Sequence, residues 1–349
     1  MKCLVPPRRT IAPAAAFTAA LLLAGCGTAA PSMKAAVSKD GAQVGGRIQM
    51  AERVVQVTSV HQAAGMTLLE GPTFGPDGNL YLVDVTAPPG AGKVLRVDTD
   101  KKSVSTVYTD DTSALTSAQF HPQNGRLYVT DFRGGAVRSM TADGQDVQEV
   151  FAGPVDGTPM QPDDISFDAA GDLYITDAAG ARAPYWDASG RIIRVDGTTV
   201  EAKALAYGLE SPNGIAFSAD NSALWVSLNT GNRIDHLTLS RDGKSIATAH
   251  PAIYASVGQA QVDSIAVDAE GHLYVGVHNS PEILIYDPNG QLLQTVTFPV
   301  KSTAGLSSAT NVAIKPGTTE AYATVSGSDG GFLYSFDALA KGIRQSNGG

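Results

Sequence analysis

Thiols are nearly missing from this chain. Its 349 residues contain two cysteines, Cys3 and Cys26, both close to the N-terminus. Disulfides, zinc–thiolate centres and cysteine nucleophiles are thereby excluded from everything after residue 26. Positive charge is also scarce. The chain has 25 Lys and Arg against 34 Asp and Glu, a net charge of −9, and no basic run in its body. Nucleic acid is therefore a poor partner, and an acidic chain is better suited to holding cations. No segment beyond the first 25 residues is apolar enough to cross a bilayer as a helix. Long helical charge patterns are lacking as well, whereas Gly (37) and Pro (19) are plentiful. That balance favours a turn-rich β protein over a helical bundle. With 43% hydrophobic and 17% charged residues, the chain can bury a large core and is not a disordered polymer.

The N-terminus reads as an export signal. Lys2, Arg8 and Arg9 precede an apolar stretch from Ile11 to about Ala24, which is too short to span as an ordinary membrane helix. Leu23-Ala24-Gly25-Cys26 resembles a bacterial lipobox. The resemblance implies cleavage before Cys26 and lipid on that cysteine; a plain signal peptide cut nearby is the competing reading. Loss of residues 1–25 removes three positive charges and takes the net charge from −9 to −12. Gly27, not Asp, follows the cysteine, so a host with two membranes would carry the lipoprotein on the periplasmic face of its outer membrane. Residues 26–50, rich in Ala, Gly and Ser, read as a flexible tether ahead of a folded domain over 51–349.

One pattern then repeats six times: a turn, an apolar residue and an aromatic. Its aromatics are Tyr81, Tyr128, Tyr174, Trp225, Tyr274 and, in a degenerate copy, Tyr322, spaced 47, 46, 51, 49 and 48 residues apart. In the third copy, Ile165-Ser166-Phe167 and Leu173-Tyr174-Ile175-Thr176 alternate about a turn, and two further short alternating segments follow. Each unit is thus four short antiparallel strands, with faces and edges it cannot bury alone. Six such units packed radially make an all-β, six-bladed β-propeller, favoured over a sandwich or solenoid. Val54-Val55-Gln56-Val57 lacks a hairpin partner and is expected to supply the outer strand of the last blade. The periodic aromatics are read as packing residues between blades.

The repeat also aligns polar residues. An apolar anchor precedes each aromatic by seven or eight positions: Phe74, Phe120, Phe167, Phe217, Val267 and Ile314. Four residues before these anchors stand Glu70, Thr116, Asp163, Asn213, Asp263 and Thr310. Their common phase directs all six to the central channel. Hydroxyls bonded to backbone in a polar channel account for Thr116 and Thr310. Three carboxylates near one axis require a proton or a cation, and no ring position carries Lys, Arg or His. All-oxygen ligation suits Ca²⁺, whereas soft metals would want His or Cys. His121 and His272 fall at inter-strand turns, where solvent exposure is expected.

Glu70-Gly71-Pro72, Pro162-Asp163-Asp164, Pro212-Asn213-Gly214-Ile215, and Asp263-Ser264-Ile265 followed by Asp268-Ala269-Glu270-Gly271 resemble the metal-site signatures of one propeller family. This is the senescence marker protein, gluconolactonase and luciferin-regenerating enzyme family. Leu224-Trp225-Val226-Ser227, Asn232-Arg233, Leu333-Tyr334 and Ala340-Lys341-Gly342 look most like its drug-responsive calcium-dependent lactonase branch. The resemblance implies metal ligands at Glu70, Asp163, Asn213 and Asp263, joined by Ser264, with Asp263 also as catalytic acid/base. Asp164 is expected to support its neighbour. Many relatives carry Asn where Asp163 stands, although the lactonase branch has Asp. Of that branch's second calcium site only Asp156 and Thr158 give a hint. The expected activity is hydrolysis of a small lactone or related ester. A phosphotriesterase on the same metal, and a non-catalytic envelope-tethered binding propeller, are the alternatives. The oligomeric state is left open.

Overall fold

The structure is a computed structural model that describes residues 46–179, 188–299 and 305–344. The expected signal peptide, Cys26 and most of the tether lie outside the described residues. All regular structure among them is strand, numbered β1 to β25 in chain order. Four sheets hold four antiparallel strands each: β3–β6 (Leu69 to Thr109), β7–β10 (Leu115 to Ala152), β11–β14 (Pro162 to Leu209) and β15–β18 (Pro212 to Tyr254). A nine-stranded sheet completes the set. A single residue pair, Val277 with Ala309, joins its halves. One half is β19–β22 (Gln261 to Thr297), and the other is β23–β25 (Leu306 to Asp337) with β2 (Glu52–Thr58).

These six four-stranded units form a closed ring. The first strand of each packs against the first strand of the next, and β23 returns to β3. Six hydrophobic clusters hold the ring together, and each spans one interface between neighbouring blades. The periodic aromatics sit in those interfaces. Tyr81 meets Phe120 of the next blade edge-on with ring centroids 5.1 Å apart, Tyr128 meets Phe167 at 5.1 Å, and Tyr174 meets Phe217 at 5.1 Å. Tyr322 closes the circle against Phe74 at 5.8 Å. Each aromatic therefore packs on the apolar anchor one blade ahead, so a fixed sequence phase becomes a fixed rotation between blades.

The sixth blade takes its outermost strand from the start of the domain. β2 pairs antiparallel with β25, Glu52 opposite Ser335 and Val55 opposite Leu333. The tether ends earlier than expected. Arg47–Met50 forms β1, a fifth strand running parallel to β22 on the rim of blade five. Its Gln49 stands opposite Val296 and its side-chain amide meets that of Gln294, while Ile48 and Met50 are exposed. These residues alternate, and the open edge of blade five offers them a ladder. First strands such as β3 are buried throughout, and outer strands such as β10 are largely exposed, so the polar residues of the inner strands are those that require explanation.

Candidate functional site

Every inner strand is bulged at its ring residue. The pairing register slips between Glu70 and Thr73, Leu115 and Ser117, Pro162 and Ile165, Pro212 and Ile215, Val262 and Ile265, and Ala309 and Asn311. A bulge frees one residue from the ladder and re-aims its side chain. It also explains the glycines of the Glu70-Gly71 and Asn213-Gly214 pairs. Gly71 has a φ of 53°, and a Cβ there would lie 2.4 Å from the Ala118 nitrogen. At Gly214 a Cβ would lie 2.6 Å from the Ile265 nitrogen. Neighbouring inner strands approach too closely at the hub for any side chain at these two positions.

The structure brings Glu70, Asp163, Asn213 and Asp263 together. Asn213 Nδ2 donates to Asp163 Oδ2 at 2.9 Å, and the same amide hydrogen-bonds the Asp263 carboxyl. Burial, then the charges of Asp263, Asp163 and Asp164, holds Glu70 well above the usual carboxylate range. Asp163 is raised likewise by burial and by Asp164 and Asp263. Burial followed by the charge of Asp164 pushes Asp263 up to about 8. These carboxyls cannot all ionise without a positive partner. Ser264 is buried beside them, and its N–H donates to Asp263. Asp164 is buried too, with its own N–H donating to Thr176 Oγ1 at 2.9 Å.

The Thr116 and Thr310 hydroxyls lie beside the hub carboxyls Asp163 and Glu70 and also bond to backbone. Thr116 Oγ1 donates to the carbonyls of Pro162 and Asp163 at 3.2 and 3.1 Å, and Thr310 Oγ1 donates to that of Leu69 at 3.0 Å. In the sixth blade a second residue joins Thr310 at the hub: Asn311 places its amide on the Glu70 carboxylate. Counting back from the anchor misses Asn311 because the inserted residue is invisible to a fixed spacing.

Two further residues escaped the sequence reading. His278 closes the second strand of blade five with its Nδ1 3.6 Å from Asp263 Oδ2 and 3.4 Å from Ser308 Oγ. Burial lowers its pKa below the usual histidine value. The other is Arg191, which fills the loop where Asp156 and Thr158 hinted at a second cation. Its buried guanidinium donates to the carbonyls of Val155, Thr158 and Pro159 and to the Asp177 carboxylate. Asp156 turns outward and accepts a 2.6 Å bond from Tyr207. A repeated signal was available here: Asp84, Asp131 and Asp177 all stand three residues after the periodic tyrosine. Each is buried and binds a basic side chain: His61, Arg138 and Arg191 respectively. His121 and His272 are not exposed as expected. His121 is wedged against Tyr128 and Phe167, and His272 is bound to Asp268 at 2.9 Å.

Among the described residues, no three His, Cys, Asp or Glu side chains close into a metal-ligand cluster. The hub is nevertheless suited to a hard cation. Its donors are all oxygens, and among the described residues its carboxyls have no basic counter-charge apart from His278 and the buried Asn213 Oδ1 accepts no hydrogen bond. On the same face, a cavity of about 550 Å³ lies between blades two and three, lined by Ala114, Phe132, Arg133, Pro159, Met160, Gln161 and Ala179. Ala114 and Gln161 stand two residues before Thr116 and Asp163, which puts the cavity roughly 7 Å along the strands from the ring.

Comparison with known proteins agrees with this architecture. The family model of the SMP-30/Gluconolactonase/LRE-like region matches residues 68–314. The chain is 28% identical over 284 residues to Lactonase drp35 of Staphylococcus haemolyticus, covering 78% of this chain and 84% of that one. It is 26% identical over 282 residues to the same-named protein of Staphylococcus aureus, at the same coverage. Among solved structures it resembles a gluconolactonase from Xanthomonas campestris, with a TM-score of 0.64 and 22% identity over 82% of this chain and 97% of that one. A calcium-binding regucalcin from Agrobacterium tumefaciens has a TM-score of 0.67 and 15% identity over 85% and 98%. At these identities the structural likenesses establish the fold.

Proposed function

Because the chain belongs to the SMP-30/gluconolactonase/LRE-like family, we propose that it is a calcium-dependent hydrolase of lactones or related esters, with Glu70, Asp163, Asn213, Asp263 and Ser264 holding the ion. The observation that carries this reading is the convergence at the hub of two buried carboxyls, Glu70 and Asp263, the half-buried Asp163 carboxyl and an unpartnered amide oxygen. When bound there, Ca²⁺ would supply charge compensation and polarise an ester carbonyl. The remaining work belongs to the chain. Asp263 takes a proton from the attacking water at a carboxylate oxygen and returns it to the leaving alkoxide. In the metal-free hub, burial and the Asp164 charge favour the protonated Asp263 carboxyl, and a bound cation would restore the carboxylate that accepts the proton. His278 lies beside Asp263 and limits where its Oδ2 can turn. Phe132, Met160 and Pro159 give the adjoining cavity an apolar wall against which the body of a small ester can lie.

Hydrolysis of a panel of lactones and phosphotriesters, each with added Ca²⁺ and with chelator, tests the reading. Calcium-dependent lactone opening that is lost in Asp263→Asn, with the fold intact, supports it. Turnover confined to phosphotriesters would favour the alternative chemistry on the same hub. Absence of any turnover with calcium bound would favour a binding propeller. The exported, lipid-anchored placement read from residues 1–26 is part of the proposal. Cys26→Ser should move the protein from the membrane fraction to the soluble fraction.

A further inference from the structure

The bulges pose a physical problem. They release Asp163, Asn213 and Asp263 from the regular ladder, yet a ligand set must be held to within a fraction of an ångström. The structure resolves it with a chain of buried hydroxyls. Thr130 Oγ1, on the second strand of blade two, donates to the Asp163 carbonyl at 2.7 Å. Thr176, on the second strand of blade three, accepts from the Asp164 N–H at 2.9 Å and donates to the Asn213 carbonyl in blade four. Ser227, on the second strand of blade four, accepts from the Gly214 N–H at 2.7 Å and donates to the Asp263 carbonyl in blade five at 2.5 Å. Thr176 and Ser227 are fully buried, and both stand two residues after the periodic aromatic.

We propose that Thr176 and Ser227 are positioning residues that set the separation of Asp163, Asn213 and Asp263 by clasping the backbone on both sides of each blade interface. Each hydroxyl ties the residue after one site side chain to the carbonyl of the next site residue. It thereby fixes two peptide planes, and with them the Cα–Cβ directions that the bulges would otherwise leave free. The continuity argues for this role over simple satisfaction of the hydroxyls, since one unbroken path links blades three, four and five. Where the corresponding position is Gly276, the device is replaced. A Cβ there would lie 1.8 Å from the Thr310 carbonyl oxygen, so the strands of blades five and six meet backbone to backbone.

This inference rests on the hub being the cation site of the preceding subsection, and its test separates the two. Titration calorimetry with Ca²⁺ on the full chain compares wild type with Thr176→Val, Thr176→Ser, Ser227→Ala and Ser227→Thr. Amide hydrogen exchange in chelator gives a readout that needs no metal. Thr176→Val and Ser227→Ala should bind Ca²⁺ about ten-fold more weakly. Thr176→Ser and Ser227→Thr should recover most of that loss. In the metal-free protein, the Asp164 amide should exchange faster in Thr176→Val and the Gly214 amide in Ser227→Ala, with β25 unaffected. Wild-type affinity in Thr176→Val, or a loss that the conservative variant does not recover, overturns the proposal. Should wild type bind no Ca²⁺, the hydrolase reading falls. Faster exchange confined to these amides would then still support the clasp, and unchanged exchange would overturn it.

Discussion

Replacing Asp163 by Asn keeps the shape of the side chain and removes one acidic group from the hub. In the metal-free protein that group is costly. Desolvation at the hub, then the charges of Asp164 and Asp263, hold its pKa well above the usual carboxylate range. Relieving like-charge repulsion at a buried site is worth about 1–3 kcal/mol. A domain of about 300 residues unfolds with an entropy near 0.6 kcal/mol/K, so Tm in chelator should rise by roughly 2–5 °C. Calcium works against that gain. At a hundred-fold excess over Kd, a ligand stabilises wild type by about 2.7 kcal/mol, or ~4 °C. A variant binding ten-fold more weakly gains only about 1.4 kcal/mol, so the gap between the two proteins should narrow by about 2 °C. Thermal unfolding with chelator and with excess Ca²⁺, at one neutral pH, reads both numbers. Asp163→Asn lowering Tm equally in both conditions would show that the carboxylate is a structural hydrogen-bond acceptor and refute the reasoning.

Two further outcomes follow from other parts of the ring. Arg191 ties Asp177 to three carbonyls of the loop before blade three, so Arg191→Ala should strand a buried carboxylate and cost about 3–5 kcal/mol, measured as a fall in the urea midpoint. Asp110 opposes burial with hydrogen bonds from Ser113, Thr112 and Tyr108, which bring its pKa down to about 2. Its folded pKa lies below the unfolded value near 3.8, so its stabilisation is present above that pH and is lost as pH falls toward 2. The stability difference between wild type and Asp110→Asn should therefore shrink over that window, and a constant difference would remove Asp110 from the acid response.

The sequence was most informative where one residue type recurs at one phase. The tyrosines, their apolar anchors and the unpartnered Val54–Val57 segment together specify six blades and the strand that closes them, because inter-blade packing demands the same volume at the same height each time. The hub side chains Glu70, Asp163, Asn213 and Asp263 share that phase and meet in the structure. Asn311 was hidden because a bulge adds a residue without changing the spacing of anchor and aromatic. Thr176 and Ser227 were overlooked although they recur two residues after the aromatic, since a hydroxyl in a strand reads as ordinary until its partners across the interface are seen. His278 belongs to a single blade, and Arg191 is signalled only indirectly, through the aspartate that recurs three residues after the periodic tyrosine. β1 was missed because four alternating residues next to an Ala, Gly and Ser-rich stretch carry too little pattern to distinguish a strand from a tether.

The most direct test is a crystal structure of the protein grown with Ca²⁺. The account predicts one ion on the propeller axis, with oxygens of Glu70, Asp163, Asn213 and Asp263 at about 2.3–2.6 Å. A hub without an ion at saturating calcium, or an ion bound elsewhere while these four side chains hydrogen-bond only one another, would contradict it.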